Sequence, residues 1–183
     1  MSEITSLVHT AHNSDDRYSK EIQKRMKDNW LWGFTGILYV PNKGVYIQED
    51  PQIKGRMLFM DECELIRKLE ENDPNVRFVP FGFQTGEMTP TQLAENKYIQ
   101  ALVGEEGAEK LAEIAGKYKN EPRLWAFKNV DEPSTRVSAL GSGWVFDGGL
   151  VVVGEDDGIT GGHGSDNCSF GVSRTGEASR IEK

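Results

Sequence analysis

The stretch Arg136-Val-Ser-Ala-Leu-Gly-Ser-Gly-Trp144 opens the part of the chain that decides the fold, a glycine-rich segment that ends near Arg174. Beyond Pro133 helix-forming residues become rare, and half of the 20 glycines of the chain lie between Gly141 and Gly171. Glycine and short polar residues favour turns and loops over helices. We therefore expect this segment to form a strand-and-loop surface built for binding rather than for catalysis.

A restriction on residue types sets the same segment apart. From Val137 to Ser173 there is no Lys, Gln or Met, and Glu155 is the only Glu, although the preceding region contains Lys110, Glu113 and Lys117. The segment consists almost entirely of residue types that codons ending in a pyrimidine can encode. Lys, Gln and Met, the types that are missing, are among those that such codons cannot encode.

Two framework motifs flank the restricted region: Gly141-Ser-Gly-Trp144 before it, and Ser165-Asp-Asn-Cys-Ser-Phe-Gly-Val172 followed by Arg174 after it. In these motifs and in its codon restriction, the segment resembles the variable proteins of diversity-generating retroelements, in which adenines of asparagine-type template codons are randomised. The resemblance implies an α+β protein with a C-type lectin-like fold. Such a fold would combine two main helices, an antiparallel sheet and a Gly-rich C-terminal variable region.

The resemblance also implies a function, that of a display protein whose C-terminal region is diversified to recognise varied protein or glycan ligands. Trp144, Glu155 and the stretch 170–172 would be fixed. The ligand-binding positions would be alternate residues between Val145 and Asn167, namely Phe146, Gly148, Val151, Val153, Asp156, Asp157, Ile159, Thr160, His163, Ser165 and Asn167. Aromatic residues and Arg usually dominate binding energy, and Phe146 alone qualifies, so we expect modest affinity.

Length and charge limit the other functional classes. The 183 residues predict a single domain, with a scaffold over 1–136, a variable region over 137–174 and a tail over 175–183. A net charge of −8 without a basic block argues against nucleic acid as a partner. No apolar run is long enough for membrane insertion. Without a signal-peptide pattern at the N-terminus, a cytoplasmic location is the default expectation, with a cell surface or virion as alternatives.

The scaffold pattern alternates helices and strands. Asp61 followed by Glu64 predicts a helix N-terminus, as does Thr89-Pro90. Pro41-Asn-Lys-Gly44 predicts the turn of a hairpin. The predicted helices cover 15–28, 62–71 and 105–118, and the predicted strands cover 36–40, 44–48, 57–60, 76–83, 124–127, 150–153 and 169–172.

Several groups of residues could in principle carry chemistry. His163 and Cys168 lack a third group to orient the imidazole. The stretch 161–169 matches one calcium-binding nonapeptide, but such units bind calcium only when stacked. Glu155-Asp156-Asp157 lacks the ligand spacing of an EF-hand. We therefore predict no metal, no cofactor and no catalytic residue, and hence a protein that is not an enzyme. Cys63 is predicted to be a small buried hydrophobe.

Three other interpretations stay open at this stage. The stretch from Gly33 to Gln48, with Tyr39 and Asn29, resembles the flavin-binding region of BLUF photoreceptors, although their photoactive tyrosine would fall near His9. A structural virion or surface protein without diversified binding is the second. The third treats the glycine-rich end as ordinary loops around an edge strand. An alternating aromatic pattern precedes the hairpin, at Trp30, Trp32 and Phe34. The pattern predicts the core-facing side of a strand, or else an exposed aromatic stripe.

Overall fold

The computed structural model describes residues 1–54, 57–142 and 148–156. Five helices and nine strands lie in these ranges. The helices are α1 (Ser2–His12), α2 (Arg17–Asp28), α3 (Glu62–Glu70), α4 (Pro90–Glu95) and α5 (Lys97–Ala115). The strands are β1 (Leu31–Val40), β2 (Gly44–Glu49), β3 (Gln52–Lys54), β4 (Met57–Phe59), β5 (Val76–Pro80), β6 (Gly86–Glu87), β7 (Arg123–Trp125), β8 (Ser134–Gly141) and β9 (Val151–Asp156).

A seven-stranded sheet in the order β5-β2-β1-β8-β9-β7-β6 forms the centre of the molecule, and β3 and β4 form a separate small hairpin. In the seven-stranded sheet, neighbouring strands are antiparallel except β7 and β9, which are parallel to each other. β9 therefore lies between two strands that precede it in sequence, β8 and β7. This insertion buries the end of the described chain inside the sheet rather than at its edge.

The predicted hairpin is confirmed. Tyr39 pairs with Val45 and Val40 with Gly44 across the turn. Asn42 adopts a positive φ of 58°, a conformation that Asn tolerates better than most residues. A Cβ atom at Gly44 would overlap the carbonyl oxygen of Val79 in β5, so the pairing of β2 with β5 requires glycine there.

Local capping signals place the helix starts. The Asp61 side chain accepts a hydrogen bond from the backbone N–H of Glu64 at 2.9 Å. Thr89 and Gln92 form a reciprocal capping box. Helix α5 begins at Lys97, eight residues before the predicted start, because the Asn96 side chain caps it and Gly104, with a φ of 78°, kinks the helix without ending it.

The main core lies on one face of the sheet, under the helical layer. It joins α1, α4 and α5 to the inward-facing residues of the central strands. Its fully buried members include Val8, Leu31, Ile37, Tyr39, Ile47, Leu93, Tyr98, Ile99, Leu102, Leu111, Ile114, Leu124, Leu140 and Val152.

The opposite face of the sheet is divided into two parts. Helix α3 covers one part, where Leu65 packs with Leu38, Val40, Tyr46 and Val76. On the other part, Ala139, Val151 and Val153 pack with three partly buried tryptophans, Trp30, Trp32 and Trp125. We call these three indoles the tryptophan cluster.

Several sequence predictions are wrong, for reasons of tertiary context. Helix α1 and strand β8 have no counterpart among the predicted elements. Cys63 is exposed, because Leu65 is the residue of α3 that faces the sheet. Phe34 was expected on the same strand side as Trp30 and Trp32, which pack in the tryptophan cluster, but it lies beyond that cluster and is 55% exposed. The predicted strand 169–172 lies outside the described residues.

Candidate functional site

Strand β9 carries two of the predicted ligand-binding positions, and both are buried. Val151 is 1% exposed and Val153 is 5% exposed. Their side chains point to the tryptophan cluster, while Val152 between them points to the main core. Both valines are therefore packing residues in this structure, and we assign them to the framework.

The two other predicted positions in the described part of the chain lie at opposite ends of β9. Gly148 precedes the strand and has a φ of 77°, with open space where a Cβ atom would lie. Asp156 is the last residue of the strand, and its backbone pairs with Val137 of β8. Five strand steps separate Val151 from Asp156, which is about 17 Å. The predicted positions thus divide into a group before β9 and a group after it.

The remaining predicted positions lie outside the described residues. They are Phe146 before β9 and Asp157, Ile159, Thr160, His163, Ser165 and Asn167 after it. The same applies to Trp144, Cys168 and the single calcium-type nonapeptide.

The tryptophan cluster forms an aromatic layer against β8 and β9. The Trp30 and Trp125 ring centroids are 6.5 Å apart with the planes tilted by 42°, a favourable arrangement for aromatic pairs. Gly141, at the end of β8, lies against Trp30, and a Cβ atom there would be 2.8 Å from the indole ring. The framework glycine of the Gly141-Ser-Gly-Trp motif thus has a packing role. Trp125 was expected in the scaffold, but its contact with Trp30 could not be predicted, because some 95 residues separate the two.

A pair of buried tyrosines fixes β9 from its other side. The Tyr39 hydroxyl donates a hydrogen bond to the carbonyl oxygen of Gly154 at 2.8 Å and lies 3.2 Å from the Tyr98 hydroxyl. A Cβ atom at Gly154 would overlap the Tyr98 hydroxyl. Gly154 therefore belongs to the fixed framework, a role that the sequence analysis did not assign to it.

An open cleft adjoins the first group of predicted positions. It has a volume of about 780 Å³ and lies where α1, α2, the end of α5 and the end of β8 meet. The described residues that line it are His12, Gln23, Lys27, Asp28, Lys117, Tyr118, Lys119, Ser142 and Gly148.

A chain of hydrogen bonds crosses the wall of this cleft. The imidazole Nδ1 of His12 lies 2.9 Å from the carbonyl oxygen of Val8, which can only accept, so Nδ1 carries a proton. The Nε2 atom of neutral His12 then accepts from the Tyr118 hydroxyl at 3.0 Å. The Tyr118 hydroxyl also lies 3.1 Å from the Ser142 hydroxyl, which is within hydrogen-bonding distance and completes the chain. The backbone N–H of Ser142 donates to the carbonyl oxygen of Met26 at 2.9 Å, which anchors the end of β8.

Burial sets the protonation of this chain. It lowers the pKa of His12, and the positive charges of Lys117 and Lys27 lower it further, against the hydrogen bond to Val8. Burial also raises the pKa of the Tyr118 hydroxyl. Both groups are therefore neutral near pH 7. Ser142 is 2% exposed and its hydroxyl lies against Tyr118 rather than the imidazole, so His12 is not placed to activate it as a nucleophile.

Three observations on the described ranges concern metal binding, flavin binding and membrane insertion. Over 1–54, 57–142 and 148–156, no group of three or more His, Cys, Asp or Glu residues could hold a metal ion. The stretch that would form the first strand of a BLUF domain, with His9 in it, is part of helix α1. In the same ranges, no helix combines the length and apolar character needed to cross a membrane.

Comparison with known proteins identifies the fold. No protein-family model matches the chain, and no curated protein does. A solved structure described as accommodating massive sequence variation in Nanoarchaeota by the C-type lectin fold is similar to it, with a TM-score of 0.55 and 17% sequence identity. The similarity covers 85% of this chain and 81% of the other. The helices and the mainly antiparallel sheet described above therefore form a C-type lectin fold.

Proposed function

We propose that this protein is a non-enzymatic ligand-binding protein whose segment 137–174 is diversified by a retroelement to recognise varied protein or glycan partners. One observation carries the proposal: a chain with a C-type lectin fold has, in its C-terminal segment, only residue types compatible with randomised asparagine-type codons, apart from Trp144 and Glu155. A similar fold is described as accommodating massive sequence variation in Nanoarchaeota.

The packing of the described residues supports a division of this segment into framework and contact positions. Substitution in a core typically costs about 2–5 kcal/mol, whereas surface substitution costs about 0.5 kcal/mol or less. The framework includes the buried Val151 and Val153, and also Gly141 and Gly154, where a Cβ atom would collide with an aromatic side chain. The contact positions of the proposal are then Phe146, Gly148, Asp156, Asp157, Ile159, Thr160, His163, Ser165 and Asn167.

The DNA around the coding sequence tests the retroelement directly. We expect a reverse transcriptase and a near-identical template copy of codons 140–172, with differences confined to template adenines. The codons of Trp144, Gly154 and Glu155 should be identical in the two copies. A flanking genome without a template copy would refute the proposal, and so would differences spread over all four bases.

A pair of libraries tests the division between framework and contact residues. The first randomises Ile159, His163 and Ser165 with codons ending in a pyrimidine, and we expect most variants to fold with the stability of the parent. The second applies the same codons to Val151, Val152 and Val153, and we expect most variants to unfold or aggregate. Soluble yield and resistance to proteolysis provide the measurement. Equal losses in both libraries would place the first three residues in the core and contradict the proposal.

A further inference from the structure

Gly148, one of the contact positions of the proposed function, has a backbone conformation that most side chains resist. Its φ is 77°, and no atom of the described residues lies within 4 Å of the place where a Cβ atom would be. Crowding by these residues is therefore no obstacle to a larger side chain. The obstacle is the left-handed backbone itself, in which a Cβ atom comes too close to a neighbouring carbonyl oxygen.

The chain that follows Gly148 is held in place. A Cβ atom at Gly149 would be 2.9 Å from the carbonyl oxygen of Glu121, so the backbone of β9 enters the sheet in close contact with the loop before β7. Leu150 is 0% exposed, and its carbonyl oxygen accepts a hydrogen bond from the backbone N–H of Arg123 at 2.8 Å. A residue placed at position 148 therefore cannot relax its φ by shifting the following residues without disturbing these contacts.

The rest of the described chain shows which residue types accept this conformation. Apart from glycines, three residues in the described ranges have a positive φ: Asn42 at 58°, Asp50 at 49° and Asn72 at 56°. All three are Asn or Asp, whose short polar side chains tolerate the left-handed region. Bulky and β-branched residues are genuine outliers there. We expect the same preference at position 148.

We propose that the backbone restricts position 148 of the diversified surface largely to Gly, Asn and Asp. Codons ending in a pyrimidine encode these three and also Val, Ile and Phe, which the left-handed conformation disfavours. Gly148 lines the open cleft, so a ligand at the cleft would meet bare backbone, an amide or a carboxylate at this position and not an apolar anchor. The proposal rests on the proposed function for the variation of position 148, and adds that backbone geometry selects the chemistry offered there.

Urea unfolding of single variants of the full chain tests this restriction. We expect Gly148→Val to have a folding equilibrium constant about 5- to 30-fold lower than Gly148→Asn. Gly116 is the matched control, because it is exposed and has an ordinary φ of −62°. Gly116→Val and Gly116→Asn should agree within about threefold, since Val and Asn have similar helix propensities. Equal stability of the two variants at position 148, or an equal difference at Gly116, would overturn the proposal.

A codon library extends the test to all accessible residue types. Position 148 is randomised with codons ending in a pyrimidine, folded chains are selected by resistance to proteolysis, and the survivors are sequenced. We expect Gly, Asn and Asp to be enriched about tenfold over Val, Ile and Phe, and the same library at Gly116 to show no preference for Asn over Val. Survivors with Val as frequent as Asn at position 148 would overturn the restriction and leave diversification unaffected. A genome without a template copy would refute diversification and leave this result unaffected.

Discussion

Replacing Gly154 by alanine tests how β9 is held in the sheet. The added Cβ atom would overlap the Tyr98 hydroxyl, lie 2.8 Å from Cζ of the same ring and lie 3.2 Å from the Tyr39 hydroxyl. Both tyrosines are 0% exposed, so neither ring can move into solvent to make room. Either β9 shifts away from the helical layer or the tyrosines leave their positions, and the bond from Tyr39 to Gly154 is weakened in both cases.

The expected loss follows from two contributions. Adding a methyl group to a well-packed core costs about 1–3 kcal/mol. Loss of a buried hydrogen bond costs about 1 kcal/mol more. We therefore expect Gly154→Ala to lower the free energy of unfolding by about 2–4 kcal/mol, which lowers Tm by roughly 5–15 °C in a domain of this length.

Urea unfolding followed by tryptophan fluorescence measures this loss, because Trp30 and Trp125 lie against the same sheet. Gly116→Ala is the matched control: Gly116 has a φ of −62°, and the nearest atoms to a Cβ there are at 3.6 Å. That control should be neutral or stabilising by up to about 1 kcal/mol, since alanine restricts the unfolded chain. A Gly154→Ala loss below about 0.5 kcal/mol relative to the control would refute the placement of β9 against Tyr98. Adding Tyr98→Phe should recover part of the loss, because it removes the overlapping hydroxyl.

Three further predictions concern the rest of the scaffold. Val153→Ser should lower the free energy of unfolding in urea by about 2–3 kcal/mol, because it leaves space and an unpaired hydroxyl beside the tryptophan cluster. A loss below about 0.5 kcal/mol, typical of a surface substitution, would show that Val153 is a surface residue. Thr89→Ala should cost about 1 kcal/mol through loss of the capping box, and a neutral result by the same measurement would contradict the cap. The pKa of folded His12 lies below its ordinary value of 6.5. As the pH falls below 6.5, the unfolded chain therefore takes up a proton at this residue before the folded chain does. The free energy of unfolding decreases until folded His12 is protonated too. The decrease in the urea midpoint from pH 7 to pH 5 should therefore be smaller in His12→Asn, and an unchanged decrease would exclude this linkage.

Only part of the candidate site could be predicted from the sequence. The codon restriction over 137–173 depends on residue types alone, so it was readable without a structure. Whether a valine of β9 faces a ligand or a tryptophan depends on what covers each face of the strand. Val151 and Val153 alternate as contact residues should, yet the same alternation describes a strand packed on both faces. The cleft of His12 and Tyr118 gave no sequence signal, because its lining comes from four separate elements.

Local interactions explain what the sequence by itself determined. Pro41 to Gly44 specifies the hairpin turn, and Asp61 and Thr89 specify helix starts, because each bonds to backbone only a few residues away. The tertiary structure alone decided the position of β9 between β8 and β7, and with it the fixed role of Gly154. That position depends on contacts such as Tyr39 to Gly154, which join residues 115 apart, and no periodicity within either segment encodes such a contact.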